Sequence, residues 1–136
     1  MVRDVEETLE ELDALLLELV EREEDRVILV EGRKDRGALT ALGVGGEIVQ
    51  VQDAGGILGV AESLAARNRK AIILTDWDRK GGQLADLLRN ALRACGVPYD
   101  ESIRARISTL SKKEIKDIES LPSYIAYLVA RKGEIR

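Results

Sequence analysis

A chain of 136 residues, 45% hydrophobic and 34% charged, has the size and apolar content of one globular domain with its own core, not of a disordered segment. Its formal net charge of −4 sets up no global positive field, so a polyanionic partner must be met by a local patch or through a metal. With no histidine and one cysteine, the composition excludes Ser-His-Asp and Cys-His nucleophile systems, HExxH zinc sites, an intrachain disulfide and a thiolate zinc site.

Residues 3–23 place Leu9, Leu12, Leu16 and Leu19 at alternating spacings of three and four among acidic residues, which predicts an amphipathic helix. Two heptads do not define a coiled coil, so the stripe is expected to pack on a sheet or on a partner, a second copy of the chain included. Residues 27–30 are a continuous, β-branched run of the kind found in a fully buried strand. A short helix over 35–42 follows, with Asp35 as its cap and Gly43 as its stop. A second strand is expected at 48–51, then a turn through Gly55-Gly56 into a helix over 57–67. Gly55-Gly56-x-x-Gly59 lacks the GxGxxG spacing and follows the second strand, so it reads as a tight turn whose free amides can meet a phosphate.

The third strand is expected at 71–74 and a helix at 82–94, with Cys95 continuing the Leu88 and Leu92 stripe as a small core residue. A fourth strand is predicted at 103–108. The run KKEIKD at 112–117 reads as a solvated helical face, with Lys112 and Lys113 able to extend a phosphate patch. A last helix spans 122–131, with Pro122 in its first turn. Strands alternating with helices, each strand continuous in hydrophobicity, predict an α/β fold: a Rossmann-like three-layer structure with a four-stranded, mainly parallel sheet and helices on both faces. No apolar run reaches membrane-spanning length and the acidic N-terminus is unlike a secretory signal, so a soluble, cytoplasmic protein without membrane contact is expected.

Two strands end in acids. The strand at 27–30 runs into Glu31, and Ala71-Ile72-Ile73-Leu74-Thr75 runs into Asp76 and Asp78. Parallel strands bring their carboxyl ends to one edge, where ligands of open α/β sheets bind. Period-two spacing in an extended backbone aims the Asp76 and Asp78 carboxylates the same way. Three carboxylates there repel unless a cation joins them, and Mg²⁺ suits such all-oxygen donors. The competing reading of Asp76 and Asp78 is a solvated turn, and that of Glu31 is an ion pair with Arg33 or Lys34. Arg33, Lys34, Arg79 and Lys80 flank the acids and either hold substrate phosphates or are ordinary surface charge. Trp77 is expected to pack or shield the site, and Tyr99, Tyr124 and Tyr127 to pack.

Glu31-Gly32 after one apolar strand, a second strand, and Asp76-x-Asp78-x-x-Gly81 after a third together resemble the Toprim domain. That module serves topoisomerases, bacterial primases, some nucleases and a ribosomal-RNA-maturing ribonuclease. The EGRKD form of the first motif is similar to that of the maturase and of small stand-alone Toprim proteins. The resemblance covers 26–110, leaving 1–25 as an N-terminal helix and 111–136 as a C-terminal helical segment packed on the same domain. It implies Glu31 as general acid/base, Asp76 and Asp78 holding Mg²⁺ or Mn²⁺ with Glu31 at the same ion, and Gly32, Arg33, Lys34, Arg79, Lys80 and Gly81 near substrate phosphate. Lacking a topoisomerase tyrosine domain, a primase zinc module and a basic RNA-binding extension, the chain points to three classes of function. They are a Mg²⁺-dependent nuclease or phosphotransferase acting on RNA or DNA, a metal-dependent RNA- or protein-binding module, and a DxD phosphatase.

Overall fold

The computed structural model describes residues 4–134. Helices and strands alternate as α1 (Val5–Val20), β1 (Arg26–Val30), α2 (Arg33–Ala41), β2 (Ile48–Gln50), a 3-10 turn (Val51–Asp53), α3 (Gly56–Ala66), β3 (Lys70–Ile73), α4 (Arg79–Ala94), β4 (Tyr99–Asp100), α5 (Ser102–Ser111) and α6 (Leu121–Glu134). The strands form one sheet in the order β2-β1-β3-β4, and every pairing is parallel.

Alternation along β1 and β3 sorts their side chains into two cores. Val27, Leu29, Ala71 and Ile73 pack with Val60, Ala61, Leu64, Leu88 and Leu92 of α3 and α4. Ile28, Val30, Ile72 and Leu74 pack on the other face with α1, α2, α5 and α6. Both faces are therefore covered, which explains why the strands read as unbroken apolar runs. Crossovers between parallel strands are right-handed almost without exception, so a change in the direction of travel moves the connecting helix to the opposite face. The path from β1 to β2 goes one way with α2 above, and the paths through β3 to β4 go the other with α3 and α4 below. Between β1 and β3 lies the switch point where ligands of such sheets bind.

The leucine stripe of α1 is satisfied within the domain. Leu9, Leu12, Leu15, Leu16 and Leu19 are buried against the sheet and its covering helices. The helix starts at Asp4, whose Oδ1 accepts the Glu7 N–H at 3.1 Å. Of the alternatives the stripe allowed, packing on the sheet is the one realised.

Two expectations are corrected. Residues 103–108 are not a strand but the middle of α5, with Ile103 and Ile107 buried one helical turn apart and Arg104, Ala105 and Arg106 between them. The fourth strand is the two-residue β4 just before it, paired with Ala71 and Ile72. Residues 112–117 are not a helical face either: after α5 the chain makes turns and an irregular link up to α6. Smaller differences concern ends. Helix α2 starts at Arg33, Pro122 is the second residue of α6, and Cys95 is the half-buried C-cap of α4 at the margin of the α3/α4 core.

Helical structure in α5 is testable because the Ala105 N–H donates to the Glu101 carbonyl at 3.1 Å. Proline at an exposed helix interior costs about 3 kcal/mol. Ala105→Pro is expected to lower unfolding stability in urea by about that amount, whereas a loss of under 0.5 kcal/mol would contradict the helix.

Candidate metal and phosphate site

The site is built from the last residues of β1 and β3 and the first turns of the helices that follow them. Glu31 leaves β1 half-buried, and its carbonyl is tied to the Gln52 N–H at 3.1 Å. Its carboxylate pairs with Lys80 Nζ at 3.1 Å, not with Arg33 or Lys34. Gly32, not Asp35, is the N-cap of α2; it donates its N–H to Oδ2 of Asp35 at 3.1 Å, and Asp35 is the buried third residue of the helix, reaching back in a capping box. Arg33 and Lys34 stand exposed on the first turn of α2, where Lys34 Nζ lies 3.9 Å from Glu119.

At the end of β3 the chain leaves the sheet abruptly. Thr75 is fully buried and its Oγ1 donates to the Gly81 carbonyl at 2.9 Å. Asp78 is the N-cap of α4, accepting the Gly81 N–H on Oδ1 at 2.7 Å. A Cβ on residue 81 would overlap the Asp76 carbonyl and its backbone, so glycine alone fits there. Asp76 turns elsewhere, with Oδ1 accepting the Ile118 N–H at 3.0 Å. The expectation that both aspartates aim the same way is therefore corrected. The paired strand has ended before them, and each carboxylate serves a different backbone group.

Burial raises the Asp76 carboxyl from 3.8 to about 6, against the Ile118 N–H that favours its ionised form, and Asp35, Asp117 and Glu31 add repulsion. Asp35 is raised by the same causes, burial first, with Glu31, Glu119 and Asp117 as its acidic neighbours. The acids gathered at the switch point are thus Glu31, Asp35, Asp76 and Asp117. Asp78 sits exposed at its rim. Sequence reasoning missed Asp117, whose surroundings read as a solvated lysine-rich helix. It also missed Arg104, which donates from Nε to the Thr75 carbonyl at 2.9 Å and from Nη2 to the Asp76 carbonyl at 2.7 Å. Nothing local marks an arginine that acts across a gap of 28 residues. Trp77 packs on the core, its Nε1 donating to the Ile115 carbonyl at 2.8 Å. Tyr124 is buried, with Tyr127 stacked on it at 6.4 Å between ring centroids, and Tyr99 is half-buried.

Among the described residues no group of three or more His, Cys, Asp or Glu side chains stands close enough to hold a metal ion. A closed protein cage is excluded in this arrangement. The donor chemistry nevertheless fits a hydrated Mg²⁺, which needs only one or two carboxylates and keeps several waters. A half-buried aspartate with a raised pKa and three acidic neighbours is a carboxylate whose ionised form a divalent cation would favour.

The chain belongs to the Toprim family, whose domain model matches residues 26–110. Toprim domains bind Mg²⁺ and belong to proteins that handle nucleic acid, and membership gives this chain the same general class of function. It is similar to archaeal proteins named UPF0292. One from Methanosarcina acetivorans is 36% identical over 126 residues, covering 92% of this chain and 87% of that one. Another, from Methanocaldococcus jannaschii, is 34% identical over 120 residues, covering 88% and 94%. A solved structure of an Aquifex aeolicus protein matches with a TM-score of 0.61 at 27% identity, covering 88% of this chain and 99% of that one. No helix among the described residues is long and apolar enough to cross a membrane.

The Asp76 shift carries a sign that can be checked. Its folded value lies above the unfolded one, so folding favours the protonated carboxyl; that contribution is full below pH 3.8 and lost as pH rises through about 6. In chelator, Asp76→Asn is expected to melt above wild type at pH above 6, with the gain shrinking as pH falls toward 3.8. Identical melting curves across that range would remove the strain assigned to Asp76.

Proposed function

We propose that this protein is a Mg²⁺-dependent phosphodiesterase or phosphotransferase acting on nucleic acid, with its chemistry at the β1–β3 switch point. One observation carries the reading: Glu31 and Asp76 leave adjacent parallel strands at that point, close enough for Glu31 to repel the Asp76 carboxylate. Asp76 and Asp78 would hold the Mg²⁺, or Mn²⁺ in its place, with Glu31 beside it. When bound, the ion supplies charge neutralisation at the phosphate and a more acidic water.

The chain's own groups do the rest. Glu31 takes the proton of the attacking oxygen or returns one to the leaving oxygen. Lys80, ion-paired with Glu31 yet with its side chain 78% exposed, can exchange that carboxylate for a substrate phosphate and release Glu31 for proton transfer. Arg33 and Lys34 in the first turn of α2, and Arg79 and Lys80 in the first turn of α4, supply a cationic rim. Helix dipoles disfavour cations at N-termini by about 0.3–1 kcal/mol each, and an arriving phosphate reverses that penalty. A second reading, metal-dependent binding without cleavage, is favoured by the Lys80–Glu31 pair, which occupies the acid/base in the absence of substrate. The DxD phosphatase reading has no such support, because Asp76-x-Asp78 follows the third strand rather than the first.

Titration calorimetry with Mg²⁺ is expected to show weak binding that disappears in the Asp76→Asn/Asp78→Asn double variant. Binding that survives both changes would remove the two aspartates as ligands.

Cleavage is to be assayed on single- and double-stranded RNA and DNA with Mg²⁺, with Mn²⁺ and with chelator. Glu31→Gln is expected to reduce turnover about 10²–10⁴-fold with metal affinity nearly unchanged. No cleavage of any substrate by the wild type would favour the binding reading, and full activity in Glu31→Gln would make Glu31 structural.

A further inference from the structure

Among the cavities that open on the described residues, three are of similar size, and one of these three is lined by Glu31 and Lys80. A cavity of about 420 Å³ lies where Arg26 and Lys70 begin their strands, and one of about 400 Å³ lies beside Arg22 and Gly46. Both are at the amino ends of the strands, away from the switch point. The third, about 490 Å³, is a groove between the start of α3 and the face of α4. Glu31 and Lys80 form one end of it.

Its chemistry is mixed in a particular way. Val51, Ile57, Leu84 and Leu87 make apolar walls, while Gln52 and Gln83 bring amide groups to the same groove. Leu87 is 54% exposed and Leu84 and Ile57 are half-buried, in a chain whose residues are 34% charged. Gly56, at φ 89°, lines the groove, and an added Cβ there would meet nothing within 4 Å. A volume near 490 Å³ falls in the range of about 300–1,000 Å³ typical of small-ligand sites.

We propose that this groove receives one unstacked nucleobase of the nucleotide whose phosphate is held at Lys80, beside Glu31, so that the ligand is single-stranded nucleic acid. The inference rests on the nucleic-acid reading above and narrows it. A nucleobase is a flat apolar ring with hydrogen-bonding edges, joined through its sugar to a phosphate. Apolar walls meet the ring faces, the glutamine amides meet its edge, and Lys80 meets the phosphate at the end of the same groove. A base paired within a duplex cannot enter without being unstacked and extruded, so single strands are preferred. Neither of the other two cavities joins an apolar wall to the acidic edge.

The test compares a labelled mixed-sequence dodecamer, as RNA and as DNA, with an abasic strand of the same length. Binding is followed by fluorescence anisotropy in Mg²⁺ for wild type, Leu87→Asn, Gln83→Ala and Leu58→Asn. Leu58 is the control, 57% exposed and outside the groove lining, and the exposure of Leu87 lets its replacement fold. Wild type is expected to bind the base-bearing strand about tenfold more tightly than the abasic one, because one base is removed from water between the apolar walls. Leu87→Asn should erase most of that preference and leave abasic binding unchanged, Gln83→Ala should weaken it, and Leu58→Asn should alter neither. Strand binding that ignores the bases, or a preference that survives Leu87→Asn, overturns the groove assignment alone, and a groove that serves another protein instead would give that result. Wild type that neither binds nor cuts any nucleic acid overturns the proposed function and this inference together.

Discussion

The close approach of α4 to the end of β3 governs the rest of the carboxyl edge. Gly81 lies so near the Asp76 backbone that no side chain fits at that position. Around this contact the Thr75 hydroxyl reaches the Gly81 carbonyl, the Asp78 carboxylate reaches the Gly81 N–H, and Arg104 bridges the carbonyls of Thr75 and Asp76. These bonds satisfy backbone groups that the sheet has stopped pairing, which a buried strand end requires. They also hold the chain between the last sheet pairing and the start of α4. Asp78 is left on the rim, and Asp76 is delivered into the crevice beside Glu31.

Asp76 stands where its charged form is disfavoured. Burial and three acidic neighbours raise its pKa to about 6, and one N–H from Ile118 only partly offsets them. Strain of this kind is common where function, not stability, selects the residue. The cations answer at the rim. Arg33, Lys34, Arg79 and Lys80 occupy the first turns of the two helices that begin at the switch point, and Lys80 reaches Glu31. A chain with a net charge of −4 thereby carries a local cationic fringe around an acidic centre, an arrangement suited to a metal-bridged phosphate.

The site also draws on chain beyond the third strand and its helix. Arg104 comes from α5, and the link to α6 supplies the Ile118 N–H for Asp76, carbonyls for the Trp77 ring and backbone N–H, and Asp117 for the acidic group. Trp77 is thus a clamp between the turn after β3 and this link. The link looks like an ordinary solvated connection in sequence because its contribution is made by backbone atoms, which no residue pattern advertises.

From the sequence alone one reads the alternation of strands and helices, the burial of both faces of the sheet, the inward stripe of the first helix, and the presence of acids at two strand ends. Those features are local: hydrophobic period and turn chemistry are carried by neighbouring residues. The misassigned segment at 103–108 shows the limit, since Ile103 and Ile107 suit a helix while the short apolar run suits a strand, and only packing in the core beside α1 chose between them. Which acids share the crevice was likewise a tertiary outcome. Asp35 and Asp117 stand beside Asp76, Asp78 turns to cap α4, and Glu31 pairs with Lys80 across 49 positions. Such choices depend on distances between residues remote in the chain, and Coulomb energy and desolvation act through space, not along the sequence.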